Sequence, residues 1–128
     1  MLGHISFGVR DLERSQRFYD AVLSALGYVR LFTSDRIAGY GAPGSTDERF
    51  AVMQQPEAGP PPGPGFHLAF GAPSRAAVDA FHAAAIRFGG ADEGAPGLRP
   101  QYGPNYYAAF VRDPDGHKLE AKHPPPAA

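Results

Sequence analysis

Two histidines and one glutamate, His4, His67 and Glu120, are the residues of this chain best suited to chemistry. Each histidine opens a short apolar run, "HISFGV" at 4–9 and "HLAFGA" at 67–72, and the glutamate sits inside "HKLEAKH" at 117–123. Strand alternation puts Ile5, Phe7 and Val9 on one face of the first run and His4, Ser6 and Gly8 on the other; Leu68, Phe70 and Ala72 oppose His67, Ala69 and Gly71 in the second. The bulky faces are expected to pack on helices, leaving a face of small residues and one imidazole with room for a ligand. If Leu119 and Ala121 take the same packed side, Glu120 joins the two histidines. Two imidazoles and a carboxylate suit a divalent ion such as Fe, Mn, Ni or Zn, with positions left for water or substrate oxygens. Singly, each residue reads more plainly: a strand histidine is usually structural, and Glu120 between Lys118 and Lys122 could form a solvated ion pair. Their register in a repeat favours the ligand reading.

That repeat has an offset of 63 residues. His4 falls on His67, Phe7 on Phe70, Gly8 on Gly71, Phe18 on Phe81, Leu23 on Ile86 and Gly27 on Gly90, so strand, helix core and helix stop recur together. Asp11 reads as the N-cap of a helix whose stripe is Leu12, Ser15, Tyr19, Val22, Leu23 and Leu26, ended by Gly27. Ser74 caps the second, with Val78, Phe81, Ala85 and Ile86 as its stripe and Gly89 and Gly90 as its stop. Further strands are expected near 28–33, 36–40 and 49–55, then near 91–100, 105–112 and 117–123, with "RDPDGHK" as the clearest turn. The predicted fold is α+β: two tandem βαβββ modules forming a curved mixed sheet around a cleft, helices on the outer face. Residues 1–128 form one domain, with module 1 over about 1–58, a Pro/Gly linker over about 56–65 and module 2 over about 66–123. Matching "FAVMQQ" to the last strand by apolar phase sets Met53 on Glu120, so the expected inward positions are His4, Met53, His67 and Glu120. A thioether is a poor ligand for such ions, and Met53 reads as the missing fourth ligand. His82 and His123 read as surface residues and His117 as part of the turn.

Composition narrows the partners. The 12 basic and 13 acidic residues nearly balance, giving no broad electrostatic footprint for nucleic acid or an anionic membrane. With no cysteine there is no disulfide, thiolate metal site or Cys nucleophile. The opening "MLGHISFGVRDLE" meets charge too early for a signal peptide or a span, so a soluble cytoplasmic protein acting on a small molecule is expected.

These features resemble the vicinal oxygen chelate superfamily, which includes glyoxalase I, extradiol dioxygenases, fosfomycin-modifying thiol transferases and bleomycin-binding resistance proteins. "HISFGVRDLERSQRFYDAVLSALGY" is similar to its opening strand and helix, "HLAFGAPSRAAVDAFHAAAIRFGG" to the opening of its second module, and "YYAAFVRDPDGHKLEAKH" to its closing hairpin. The resemblance implies a metal in a U-shaped cleft held by His4, His67 and Glu120, with Met53 where glyoxalase I carries a fourth ligand that also moves the substrate proton. Glyoxalase I chemistry is therefore not expected here. Ser6 would offer a hydroxyl to a bound oxyanion, as the fosfomycin-modifying branch would require. Extradiol chemistry wants a further acid/base, for which Tyr102, Tyr106 and Tyr107 are candidates. In "GLRPQYGPNYYAAF" at 97–110, Arg99, Gln101, Tyr102 and Asn105 are expected to line a pocket by hydrogen bonding and stacking, or else to belong to a connector covering the sheet edge.

Two functions compete on this reading. The first is a metal-dependent lyase, isomerase or dioxygenase, with Tyr102 or Tyr106 supplying a proton and Ser6, Met53, Arg99, Gln101, Asn105 and Tyr107 contacting the substrate. The second is a metal-free module that binds a drug or metabolite in the same cleft, and a bare assembly interface stands behind both. The resemblance also implies a homodimer, in which paired modules come from one chain or from two.

Overall fold

A computed structural model describes residues 1–127. Ten elements follow in the order β1 (Ile5–Val9), α1 (Leu12–Ala25), β2 (Val29–Thr33), β3 (Ile37–Gly41), β4 (Phe50–Gln54), β5 (Leu68–Gly71), α2 (Arg75–Arg87), β6 (Ala91–Leu98), β7 (Tyr107–Arg112) and β8 (Lys118–His123). This is the βαβββ order twice, an α+β fold. The sheets repeat as well: β1-β4-β3-β2 and β5-β8-β7-β6, each with one parallel pair at the first strand and antiparallel pairs beyond it. Neither sheet closes on itself or hydrogen-bonds to the other. No helix is long and apolar enough to cross a membrane among the described residues.

Local chemistry explains the helices. The Asp11 carboxylate accepts from the Arg14 backbone N–H at 3.1 Å and the Ser74 hydroxyl from that of Ala77 at 3.0 Å, satisfying donors that a first turn leaves free. Gly27, at φ 91°, takes the left-handed conformation beyond the C-terminus of α1 that a Cβ disfavours. Leu12, Ser15, Phe18, Tyr19, Val22 and Leu23 form the buried stripe of α1. In α2 the stripe is Ala77, Val78, Phe81 and Ala85, and Ile86 is exposed, which corrects its assignment to the core.

The helices pack on one another, and the bulky faces of the strands meet them in one core that includes Phe7, Val9, Tyr19, Val52, Phe81 and Leu119. The 113–116 turn fastens the modules. His117 stacks on Phe7 at 4.3 Å, and Asp115 accepts from the Arg10 backbone N–H at 3.0 Å and lies 3.3 Å from the Arg14 guanidinium. Asp113 is saturated: its Oδ1 accepts from the backbone N–H groups of Asp115 and His117, and its Oδ2 from the Tyr19 hydroxyl at 2.5 Å and His117 Nδ1 at 2.8 Å. The structure thus places His117 under the first module as a buried packing residue, where the turn motif alone suggested only a loop position.

Candidate functional site

On the second sheet, Glu120 lies opposite Ala69 on β5 and Phe110 on β7. Side chains at paired positions share a face, so Glu120 and Phe110 point away from the core, with Lys118 and Lys122 on either side along β8. His67 precedes β5 in the phase of Ala69. The Ala69 side chain is too small to screen it from Glu120, and His67 Nε2 donates to Glu120 Oε1 at 2.8 Å. Tyr106 donates its hydroxyl to the other oxygen, Oε2, at 2.6 Å. Glu120 is 2% exposed, whereas the His67 side chain keeps 40% of its surface open. Burial, reinforced by the neighbouring Glu120 carboxylate, pushes the Tyr106 hydroxyl well above its ordinary range. Tyr106 therefore remains protonated at neutral pH and holds Glu120 as a donor.

Beside this triad runs an open groove of about 420 Å³, lined by His67, Arg99, Gln101, Tyr102, Phe110 and Lys118 among others. The Tyr102 ring leans on that of Tyr106 at 5.4 Å and is largely exposed. Arg99, Gln101 and Tyr102 thus all stand in the wall of this groove. Tyr107 does not: its hydroxyl donates to Asp79 on α2 at 2.6 Å, since it has the packed phase of Ala109 and Val111. Asn105 is exposed and outside the groove lining.

The first module carries no mirror image of this site. His4, just before β1, is exposed in a separate shallow groove of about 170 Å³ with Leu2, Gly3, Ile5 and Arg49, and Ser6 on β1 is exposed as well. Among the described residues, no three His, Asp or Glu side chains converge as a metal set. The register also moves the position matched to Glu120. Ser6 pairs with Ala51 as Ala69 pairs with Glu120, whereas Met53 pairs with Gly8 as Lys122 does with Gly71. Met53, 38% exposed, therefore corresponds to Lys122, and the place of the fourth ligand falls to Ala51. Apolar phase had selected the right face but the wrong pair along it.

Two groups at this face escaped the sequence reading. Phe32 folds over Gly39, where a Cβ would come within 2.4 Å of its ring, and Glu48 Oε2 lies beside it, buried with no hydrogen-bond partner among the described residues. Glu48 sits in the loop before β4, where strand alternation says nothing of direction. In the second module Lys118 and Phe110 were missed as groove residues, although the hairpin register that joins them follows from the 113–116 turn. A further cleft of about 410 Å³ at the seam between modules is mainly apolar, with Ile5, Tyr40, Phe50, Leu68 and Phe70 in its wall, and holds no carboxylate or imidazole.

Comparison with known proteins agrees with the geometry. A family model described as the Glyoxalase/Bleomycin resistance protein/Dioxygenase superfamily matches residues 1–121. A glyoxalase/bleomycin resistance protein from Albidiferax ferrireducens T118 shares 38% identity at a TM-score of 0.82, covering 98% of this chain and 99% of its own. A glyoxalase I mutant from Zea mays is 27% identical at a TM-score of 0.71 over 93% of this chain, which spans 44% of that longer one. The fosfomycin resistance protein FosX from Mesorhizobium loti, at 24% identity, a TM-score of 0.66 and coverage of 95% and 90%, shares the fold. None of the curated proteins matches.

Proposed function

The chain belongs to the glyoxalase/bleomycin resistance protein/dioxygenase superfamily, and we propose that within it the protein is a metal-dependent enzyme, a lyase, isomerase or dioxygenase, acting on a small oxygen-rich substrate. The carrying observation is the 2.8 Å approach of His67 Nε2 to Glu120 Oε1 beside an open groove. An imidazole nitrogen and a carboxylate oxygen converging at that distance fit two of the three ligands of a site for Fe, Mn, Ni or Zn. His67 and Glu120 would hold the ion, and His4 of a second copy would complete the set, because His4 of the same chain opens into a different groove. When bound, the ion supplies Lewis-acid stabilisation of negative charge developing on a substrate oxygen. Tyr106 spends its one hydroxyl proton on Glu120, which makes it a positioning donor to that carboxylate and not a base. Ala51 offers no carboxylate for proton abstraction, so reactions that need a base at that position are disfavoured.

One observation favours a second reading, a metal-free binding module. Glu120 already has both oxygens satisfied by His67 and Tyr106. A subunit-mixing experiment separates the two. His4→Ala and His67→Ala should each take up no manganese or zinc, and unfolding and refolding them together should restore about a quarter of the wild-type stoichiometry, since half of the random dimers then carry one intact site of two. Absence of rescue would place any site within single chains. Wild-type protein that takes up no metal while still binding small molecules would establish the second reading.

A further inference from the structure

The groove beside His67 and Glu120 carries more positive charge than the chain as a whole. Arg99, Arg112, Lys118 and Lys122 stand on or beside it against two carboxylates, in a protein whose formal net charge is −1. Both carboxylates are already engaged: Glu93 accepts from Arg112 Nε at 3.0 Å, and Glu120 is held by His67 and Tyr106. Among the described residues, no carboxylate lies within ion-pair distance of Arg99 or Lys118. Instead the two cations share one aromatic ring, with the Arg99 guanidinium 5.6 Å and the Lys118 ammonium 5.4 Å from the centre of Phe110, which meets the edge of His67 at 5.8 Å. Cation–π contact positions a cation without neutralising it.

Arg99 is also built into place. Its Nη2 donates to the Ala95 carbonyl at 2.7 Å, and its backbone N–H donates to the Tyr106 carbonyl, tying it to the segment that carries Tyr106. Gly94 and Gly97 make room for it: a Cβ on Gly94 would stand 3.2 Å from both Nη2 and the Phe110 ring, and one on Gly97 3.2 Å from Nη1. A held guanidinium and an uncompensated ammonium on one aromatic ring match the oxygens of a carboxylate or phosphoryl group.

We infer that Arg99 and Lys118 form an anion subsite, so that the substrate is a small organic anion whose carboxylate or phosphoryl group docks over Phe110 while another oxygen reaches the His67–Glu120 pair. This rests on the functional reading above for the second contact only; the anion subsite needs no metal.

Calorimetry on the full chain tests it with benzoate, phenyl phosphate and the neutral benzamide, in manganese-supplemented and in EDTA-treated samples. The charged probes should bind about tenfold more tightly than benzamide and weaken as salt is raised. The ratio of benzoate to phenyl phosphate reports which source of the anion the site prefers. Arg99→Gln and Lys118→Gln should each lose about fivefold in affinity for the charged probes, with benzamide unaffected and Lys118→Arg largely restoring binding. Manganese stoichiometry in both variants should stay at the wild-type value, and His67→Ala should lose manganese yet keep the preference for anions, so failure of the metal site is read separately. Equal binding of benzoate and benzamide, or unchanged benzoate affinity in both folded Gln variants, would overturn the subsite.

Discussion

Two regions of the molecule bring together the same three group types. At the turn of the second module, His117 and, from α1 of the first module, Tyr19 converge on Asp113; on the second module's open face, His67 and Tyr106 converge on Glu120. The hydrogen-bond lengths nearly coincide, 2.8 and 2.5 Å in the first against 2.8 and 2.6 Å in the second. What separates them is closure. The His117 side chain is 10% exposed with Phe7 stacked on its ring, and Asp113 has two backbone donors besides the side-chain pair. His67 keeps 40% of its surface open. A histidine, an acid and a tyrosine thus serve as a structural clamp where each oxygen of the acid takes two donors inside the core, and as a candidate site where one member faces a groove.

This contrast fixes where stability should reside. Asp113→Ala leaves the Tyr19 hydroxyl, His117 Nδ1 and two backbone N–H groups without their acceptor inside the core, and is expected to cost about 3–4 kcal/mol in urea denaturation. Glu120→Gln, whose neighbours can turn to water, is expected to cost less than about 1.5 kcal/mol. Equal losses would mean that the open triad is also a clamp. Removing one hydroxyl sharpens the test: Tyr19→Phe takes a donor from a buried carboxylate and should cost about 2 kcal/mol.

Not all of this could be read from the chain. The repeat made the two modules, their helix caps and the approach of His67 to Glu120 legible, because offset and alternation are properties of the sequence alone. The Met53 assignment failed for a physical reason: side chains repeat every two residues along a strand, so phase cannot distinguish a pairing from one shifted by two. Ala51 emerges only when hydrogen-bond register is known. His117 was hidden differently. Its i, i+4 spacing from Asp113 looks like turn chemistry, and its burial depends on Phe7 and Tyr19, which lie about a hundred residues away. The cationic groove was within reach, since the turn at 113–116 sets Phe110 opposite Glu120 and places Lys118 two residues before it.

Alkaline pH provides a finer probe of the clamp. Burial first, and then the Asp113 carboxylate, push the Tyr19 hydroxyl well above its ordinary value of 10.0, and burial and Asp20 push Tyr40 the same way. The folded state therefore holds these protons after the unfolded chain has released them. Their contribution is intact below pH 10 and declines as pH rises beyond it toward the folded-state values. Urea midpoints followed from pH 8 to 11 should bend downward near 10, and Tyr19→Phe should flatten the bend; a profile equally steep in the variant would remove Tyr19 as its source.

The smallest stability effect is expected at Tyr106, and there the two triads should differ most. Tyr106→Phe removes the donor to Glu120 Oε2, but Tyr106 is only half-buried and water from the groove can take the donor's place, so the loss should stay near 0.5 kcal/mol, well below that of Tyr19→Phe. Orientation of Glu120 is another matter. A carboxylate freed at one oxygen turns away from His67 in part of the population, and manganese affinity is expected to fall by about tenfold with stoichiometry retained, as happens when an outer-shell partner of a metal ligand is lost. Titration calorimetry alongside urea denaturation measures both on one sample. A variant that loses as much stability as Tyr19→Phe while its metal affinity stays unchanged would make the open triad a second clamp and leave Tyr106 no part in positioning Glu120.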